Sequence, residues 1–236
     1  MTAPALPDLT ACLFDLDGTL VDTLGDFEIA LNAMLAAYGR RPVGRAQIAC
    51  MVGRGTPHLI AAALALEADA PQVDAQAAQA LYLQQYARIN GQHAHVCAGA
   101  AECLAALRAA GLPLACVTNK PQALAQTLLE GLGLAQHFAH IFGGESFARR
   151  KPDPLPLLQA CRALGSAPRH TLMVGDSVFD AQAARAAGCP FALLDYGYKG
   201  GVDAAAISAD WRISSLAQLS VLITQVGEEE TVSSLQ

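Results

Sequence analysis

Short apolar runs, each closed by a polar cluster, recur along this chain at the spacing of a parallel sheet. Ala11 to Phe14, Leu114 to Thr118, His140 to Phe142, Thr171 to Val174 and Pro190 to Leu194 have strand length and strand composition. Between the last four, and ahead of the second, lie helical patterns over about residues 100–110, 122–132, 154–164 and 178–187. Strands alternating with helices of that length build a parallel sheet with both faces covered. The first run is followed by something else. Helical patterns over about residues 26–38, 45–52, 56–68 and 73–89 succeed one another with no strand between them. In the first of these Phe27, Ala30, Leu31, Met34, Leu35 and Tyr38 recur at helical spacing before Gly39 ends it. The expected fold is α/β, a Rossmann-like parallel sheet core with an inserted all-helical cap lobe. Residues 1–21 and 95–236 would form the core and residues 22–94 the cap.

A chain of 236 residues is long enough for one core and a small second lobe. The net charge of −6, with no basic stripe, argues against a nucleic-acid partner. No apolar stretch approaches the roughly 18 residues of a membrane span, and the first residues lack a basic segment ahead of an apolar one. Seven scattered cysteines without a Cys-x-x-Cys suit reduced thiols packed as small apolar residues. A cytoplasmic location is expected, with no membrane partner.

The polar clusters at the strand ends carry the chemistry. Asp15 and Asp17 follow the first run, and alternate residues of an extended segment point the same way. Two close carboxylates repel unless a cation neutralises one or a proton stays on the other. The pair is therefore a metal site, an acid/base pair, or both. After the second run come Thr118, Asn119 and Lys120, where a hydroxyl and exposed N–H groups suit phosphate oxygens. Lys151-Pro152-Asp153-Pro154 fixes one lysine ahead of a helix. Asp176 and Asp180 stand four apart at a strand-to-helix turn. Oxygen ligands from few carboxylates, completed by substrate phosphate, suit Mg²⁺.

Taken in order, Asp15-Leu16-Asp17-Gly18-Thr19, Thr118, Lys151 and Gly175-Asp176-Ser177-Val178-Phe179-Asp180 resemble the four motifs of the haloacid dehalogenase superfamily. The similarity spans nearly the whole chain and is greatest to the phosphatases with a helical cap. Met51-Val52-Gly53-Arg54-Gly55, Lys151 to Leu158 and Tyr196-Gly197-Tyr198 are similar to the bacterial phosphoglycolate phosphatases. The resemblance implies a phosphomonoester hydrolase acting on a small phosphate ester. Asp15 would be the nucleophile and Asp17 the acid and base. Mg²⁺ would be held by Asp15, the Asp17 carbonyl and Asp176, with Asp180 as ligand or support. Thr118 and the Asn119 amide would bind phosphoryl oxygens, and Lys151 would offset negative charge. 2-Phosphoglycolate is the first substrate expectation. The alternatives are a sugar phosphate, an amino-sugar phosphate or pyrophosphate, then a sugar-phosphate mutase or a non-catalytic binding protein. A phosphonate hydrolase would need a cap lysine, and the chain's lysines are Lys120, Lys151 and Lys199.

In the cap, Gly53-Arg54-Gly55 could approach a ligand closely, and Arg54 would suit a second anion such as a substrate carboxylate. His93, His95 and Cys97 carry zinc-ligand chemistry on one face of an extended segment, without an evident fourth ligand. The tail from Gly227 to Gln236 is expected to fray.

Overall fold

The computed structural model describes residues 8–223; the Gly227 to Gln236 tail lies outside them. The chain begins with β1 (Ala11–Phe14), then a two-residue strand β2 (Val21–Asp22) and four helices: α1 (Leu24–Ala37), α2 (Arg45–Met51), α3 (Thr56–Ala65) and α4 (Ala75–Ile89). A second short strand, β3 (His95–Val96), pairs antiparallel with β2. After it come α5 (Ala100–Ala109), β4 (Leu114–Val117), α6 (Gln122–Gly131), β5 (His140–Phe142), α7 (Leu155–Leu164), β6 (Thr171–Gly175), α8 (Val178–Ala187), β7 (Phe191–Leu194) and β8 (Trp211–Ile213).

Six of the strands form one sheet in the order β5-β4-β1-β6-β7-β8, with every pairing parallel. Every residue of β1, β4, β6 and β7 is buried, as expected of a sheet covered on both faces. The period of two sorts the side chains. Cys12, Phe14, Leu114, Cys116, Leu172 and Val174 pack on one side with α5 and α6. Leu13, Ala115, Val117, Met173, Phe191 and Leu193 pack on the other with α7 and α8.

The strand order reverses around β1, whose neighbours are β4 and β6. Ligands of open α/β sheets bind at such a switch point, outside the carboxyl ends of the strands. Asp15, Thr118 and Asp176 are the residues that follow β1, β4 and β6 there.

Helices α1 to α4 enclose a separate core in which Phe27, Leu31, Met34, Ile48, Ile60 and Tyr82 meet. The segment leaving the core and the one returning to it are clasped together at two points. One is the β2–β3 pair, at the point where the chain leaves the sheet and returns. The other is buried Asp26, which accepts the N–H groups of Gly91 (2.7 Å) and His93 (2.9 Å). Neither clasp is anticipated above. Two-residue strands carry no readable period, and α1 begins at Leu24, so Asp26 falls in its first turn rather than at its cap. β8 is likewise unforeseen; Trp211 and Ile213 are buried and complete the sheet edge.

Candidate active site

Gly18 shapes the first loop of the site. Its φ of 88° turns the chain straight after Asp17, and a Cβ there would stand 2.6 Å from Asp176 Oδ2. The turn lets the Leu16 carbonyl accept from the N–H groups of Thr19, Leu20 and Val21. It also brings the Thr19 hydroxyl to Asp176 Oδ1 at 3.1 Å.

Three elements then converge on Lys151. Its Nζ, with the side chain 2% exposed, donates to Asp15 Oδ1 (2.7 Å), Asp180 Oδ1 (2.7 Å) and the Val117 carbonyl (2.6 Å). Burial works against the ammonium, but the two carboxylates outweigh it and hold its pKa above the ordinary lysine value. Asp180 is fixed from behind. In the first turn of α8 its Oδ2 accepts from the Ser177 hydroxyl (2.6 Å) and the Ser177 N–H (3.1 Å), a capping box. Asp176 accepts from the Tyr198 N–H at 2.5 Å.

Asp15, Asp176 and Asp180 place carboxylate oxygens within 4.8 Å of one another, all buried. Burial pushes Asp15 up to about 8, with Asp180 and Asp176 adding to it against the pull of Lys151. Burial and then Asp180 push Asp176 up to about 7. Three buried acids beside one lysine hold more negative charge than that lysine offsets, and their oxygen donors suit a hard divalent cation. Among the described residues this is the one such cluster of acids, histidines or cysteines. His93 and His95 are exposed, and with Cys97 they form no such cluster among the described residues.

Asp17 takes no part in the trio. Its Oδ1 accepts from the Thr23 hydroxyl (2.8 Å) and from Lys120 Nζ (2.9 Å). Thr118 is buried, and its Oγ1 accepts the Lys120 N–H at 3.2 Å. The side-chain amide of Asn119 bridges the two lobes, donating to the carbonyls of Gly53 (2.7 Å) and Lys151 (2.8 Å). Any contact between Asn119 and an anion therefore falls to its backbone N–H.

Asp15, Asp17, Thr118, Asn119, Lys151, Asp180, Gly53 and Gly55 share one narrow cavity of about 40 Å³ under the cap. By the measure in which one water needs roughly 10–15 Å³, that holds a small ester and little more. Arg54 departs from expectation. Gly53 (φ 115°) and Gly55 (φ 88°) turn their backbone to the cavity. The side chain between them faces the other way, exposed, with its guanidinium 5.1 Å from the centre of the Phe179 ring. The second cation of the cavity wall is Lys120, together with Tyr86 of α4. Neither has a role of its own legible from the sequence. A lysine directly after a Thr-Asn strand end was the available signal for the first; the second shares the helical spacing of ordinary core residues.

A parallel-sheet mouth with its acids gathered around one buried lysine, under an inserted helical lobe, defines a capped Rossmann-like protein. Comparison with known proteins agrees. The family model for haloacid dehalogenase-like hydrolases matches residues 9–188, and the chain belongs to that family. It is 45% identical to the plasmid-borne phosphoglycolate phosphatase of Cupriavidus necator, over 95% of this chain and 96% of that one. It is 39% identical to the phosphoglycolate phosphatase of Thiobacillus denitrificans, over 92% and 96%. The crystal structure of a predicted phosphoglycolate phosphatase from Haemophilus somnus superimposes with a TM-score of 0.88 at 29% identity, covering 93% of this chain and all of that one. No helix among the described residues is long and apolar enough to cross a membrane.

Proposed function

We propose that this protein hydrolyses 2-phosphoglycolate to glycolate and phosphate through a phosphorylated Asp15. The observation that carries the chemistry is the Asp15–Lys151–Asp180 cluster, with Asp17 held apart on different partners inside the same cavity. Lys151 engages Oδ1 of Asp15, so Oδ2 is the oxygen that attacks phosphorus. The bond from phosphorus to the leaving oxygen breaks, and Asp17 gives that oxygen a proton. Water then attacks the phosphorus of the aspartyl-phosphate and passes its proton to Asp17. The bond to Asp15 breaks and phosphate departs. Throughout, the Thr118 hydroxyl and the Asn119 N–H hold phosphoryl oxygens in line, and Lys151 supplies a fixed positive charge beside Asp15.

Asp15, Asp176 and the Asp17 carbonyl would hold Mg²⁺, with Asp180 supporting them, and the ion would supply charge neutralisation at the transferring group. The substrate reading is supported by the names of relatives that match the chain almost end to end. It is supported also by the narrow cavity, whose cap side is lined largely by the rings and apolar groups of Phe27, Leu59, Tyr82 and Tyr86. The test is phosphate release, with Mg²⁺, from a panel of 2-phosphoglycolate, hexose phosphates, an amino-sugar phosphate and pyrophosphate. 2-Phosphoglycolate should give the highest kcat/KM. A higher value for any other member would overturn the substrate; no release from any would overturn the chemistry.

A further inference from the structure

Two lysines face the cavity, and the hydrolytic steps above employ one of them. Lys151 is saturated by Asp15, Asp180 and the Val117 carbonyl. Lys120 stands on the other side of Asp17 with its side chain 2% exposed, donating to Asp17 Oδ1 at 2.9 Å and to the Tyr86 hydroxyl at 2.6 Å. Its Nζ lies 4.4 Å from the centre of the Tyr86 ring and 4.9 Å from that of Phe27. Ring faces stabilise a cation out of water without neutralising it. The amine thus sits in a nearly dry corner, with one anionic partner.

That partner is the residue assigned to the leaving oxygen, which sets the geometry of recognition. In 2-phosphoglycolate the carboxylate is joined to that oxygen by a single CH₂. A substrate whose leaving oxygen meets Asp17 therefore brings its carboxylate into the neighbourhood of Lys120 Nζ. Resting on the substrate proposed above, we infer that Lys120 binds this carboxylate, with the Tyr86 hydroxyl as a second donor and the Phe27 and Tyr86 rings limiting its width. Lys120 then shares its charge between the substrate and Asp17, and Asp17 keeps its bond from Thr23. An ester without the carboxylate leaves the Lys120–Asp17 pair as it stands. Selectivity arises where cap and core meet: the cation comes from the loop after β4, and the groups that aim it come from α1 and α4.

Ethyl phosphate is the probe, since it matches the substrate's chain but lacks the carboxylate. Wild-type protein should favour 2-phosphoglycolate over ethyl phosphate by about 10²-fold or more in kcat/KM, because only its carboxylate gains hydrogen bonds from Lys120 and the Tyr86 hydroxyl. Lys120→Met should remove most of that preference, with the loss on 2-phosphoglycolate appearing mainly in KM. Tyr86→Phe deletes one hydroxyl and keeps the ring; it should lower the preference by about 10-fold, the scale of one hydrogen bond to a charged group. Equal losses on both esters in Lys120→Met would show that the lysine serves Asp17 alone and would overturn the inference. If Lys120→Met does not fold, an unchanged preference in Tyr86→Phe overturns it. A wild-type protein that hydrolyses other esters but shows no preference for 2-phosphoglycolate would instead defeat the substrate assignment, before any variant is compared.

Discussion

On the core side, the cavity presents Asp15, Asp17 and Lys151, tied by short hydrogen bonds or ion pairs, and Thr118, whose N–H donates to the Phe142 carbonyl of β5. On the cap side it presents Phe27, Leu59, Tyr82 and Tyr86, side chains that pack one lobe and shape its surface. The core residues come from the ends of neighbouring strands whose register the sheet fixes, so their separations vary little. The cap residues come from helices inserted between two crossing segments, which the β2–β3 pair and Asp26 clasp together. Rigid positioning of charge suits bond making and breaking; a wall of rings suits the selection of a leaving group. Substitutions of Asp15, Asp17, Thr118 and Lys151 should therefore lower turnover of every ester, and those on the cap side, or at Lys120 where core meets cap, should change the ranking of esters.

The largest effect expected is from Asp15→Asn. An amide is a far weaker nucleophile, and kcat should fall by about 10⁴-fold or more on all esters, with circular dichroism and melting behaviour retained. Loss confined to one ester would erase the proposed contrast between the two sides. Asp17→Asn should cost roughly 10²–10⁴-fold on alkyl esters, the usual scale for a general acid and base. The cost should be smaller for p-nitrophenyl phosphate, whose leaving group departs without a proton; an equal cost on both would assign the proton to another residue.

The acidic trio offers a stability measurement. In the cation-free fold Asp15 is pushed up to about 8 and Asp176 to about 7, against roughly 3.9 for an unfolded aspartate. Their neutral forms favour the fold. That contribution is whole below about pH 4 and is lost as the pH rises through the folded values, so the cation-free protein should weaken across this window. Mg²⁺ should then raise Tm more at pH 8 than at pH 5, and Asp176→Asn should reduce the difference. A Tm indifferent to Mg²⁺ at pH 8 would remove the cation from the core side. The smallest effect should come from Arg54→Ala. Its guanidinium rests on Phe179 outside the cavity wall, and kcat/KM for 2-phosphoglycolate should change by less than about 3-fold, within the range of surface substitutions. A loss above 10-fold confined to that ester would return the carboxylate to Arg54 and take it from Lys120.

The contrast between the two sides also explains what the sequence made legible. The acids of the core sit two or four residues apart at strand ends, and each strand announces itself as a run of apolar residues, so β1, β4, β5, β6 and β7 and the polar clusters beyond them could be read locally. The cap helices were equally plain from their periodicity. The seam between the lobes was not. Lys120 acquires its partners from residues 34 and 103 positions away, Tyr86 and Asp17, and no local pattern encodes that meeting. Arg54, flanked by two glycines of positive φ, lies on Phe179 outside the cavity lining, an orientation that no local pattern encodes. β2 and β3 are too short to show alternation, and β8 gains its place only by docking on β7.

The central claim is that the phosphoryl group passes through Asp15 on the core side, whatever ester the cap side admits. Wild-type protein should be mixed with 2-phosphoglycolate and Mg²⁺, quenched in acid during turnover and treated with borohydride, which reduces an acyl phosphate to the alcohol. Peptide mass spectrometry should find homoserine at position 15 in place of aspartate, with none in Asp15→Asn protein and none without substrate. A second ester such as p-nitrophenyl phosphate should give the same residue. Homoserine at another acid, or sustained turnover that never yields it at position 15, would contradict the account.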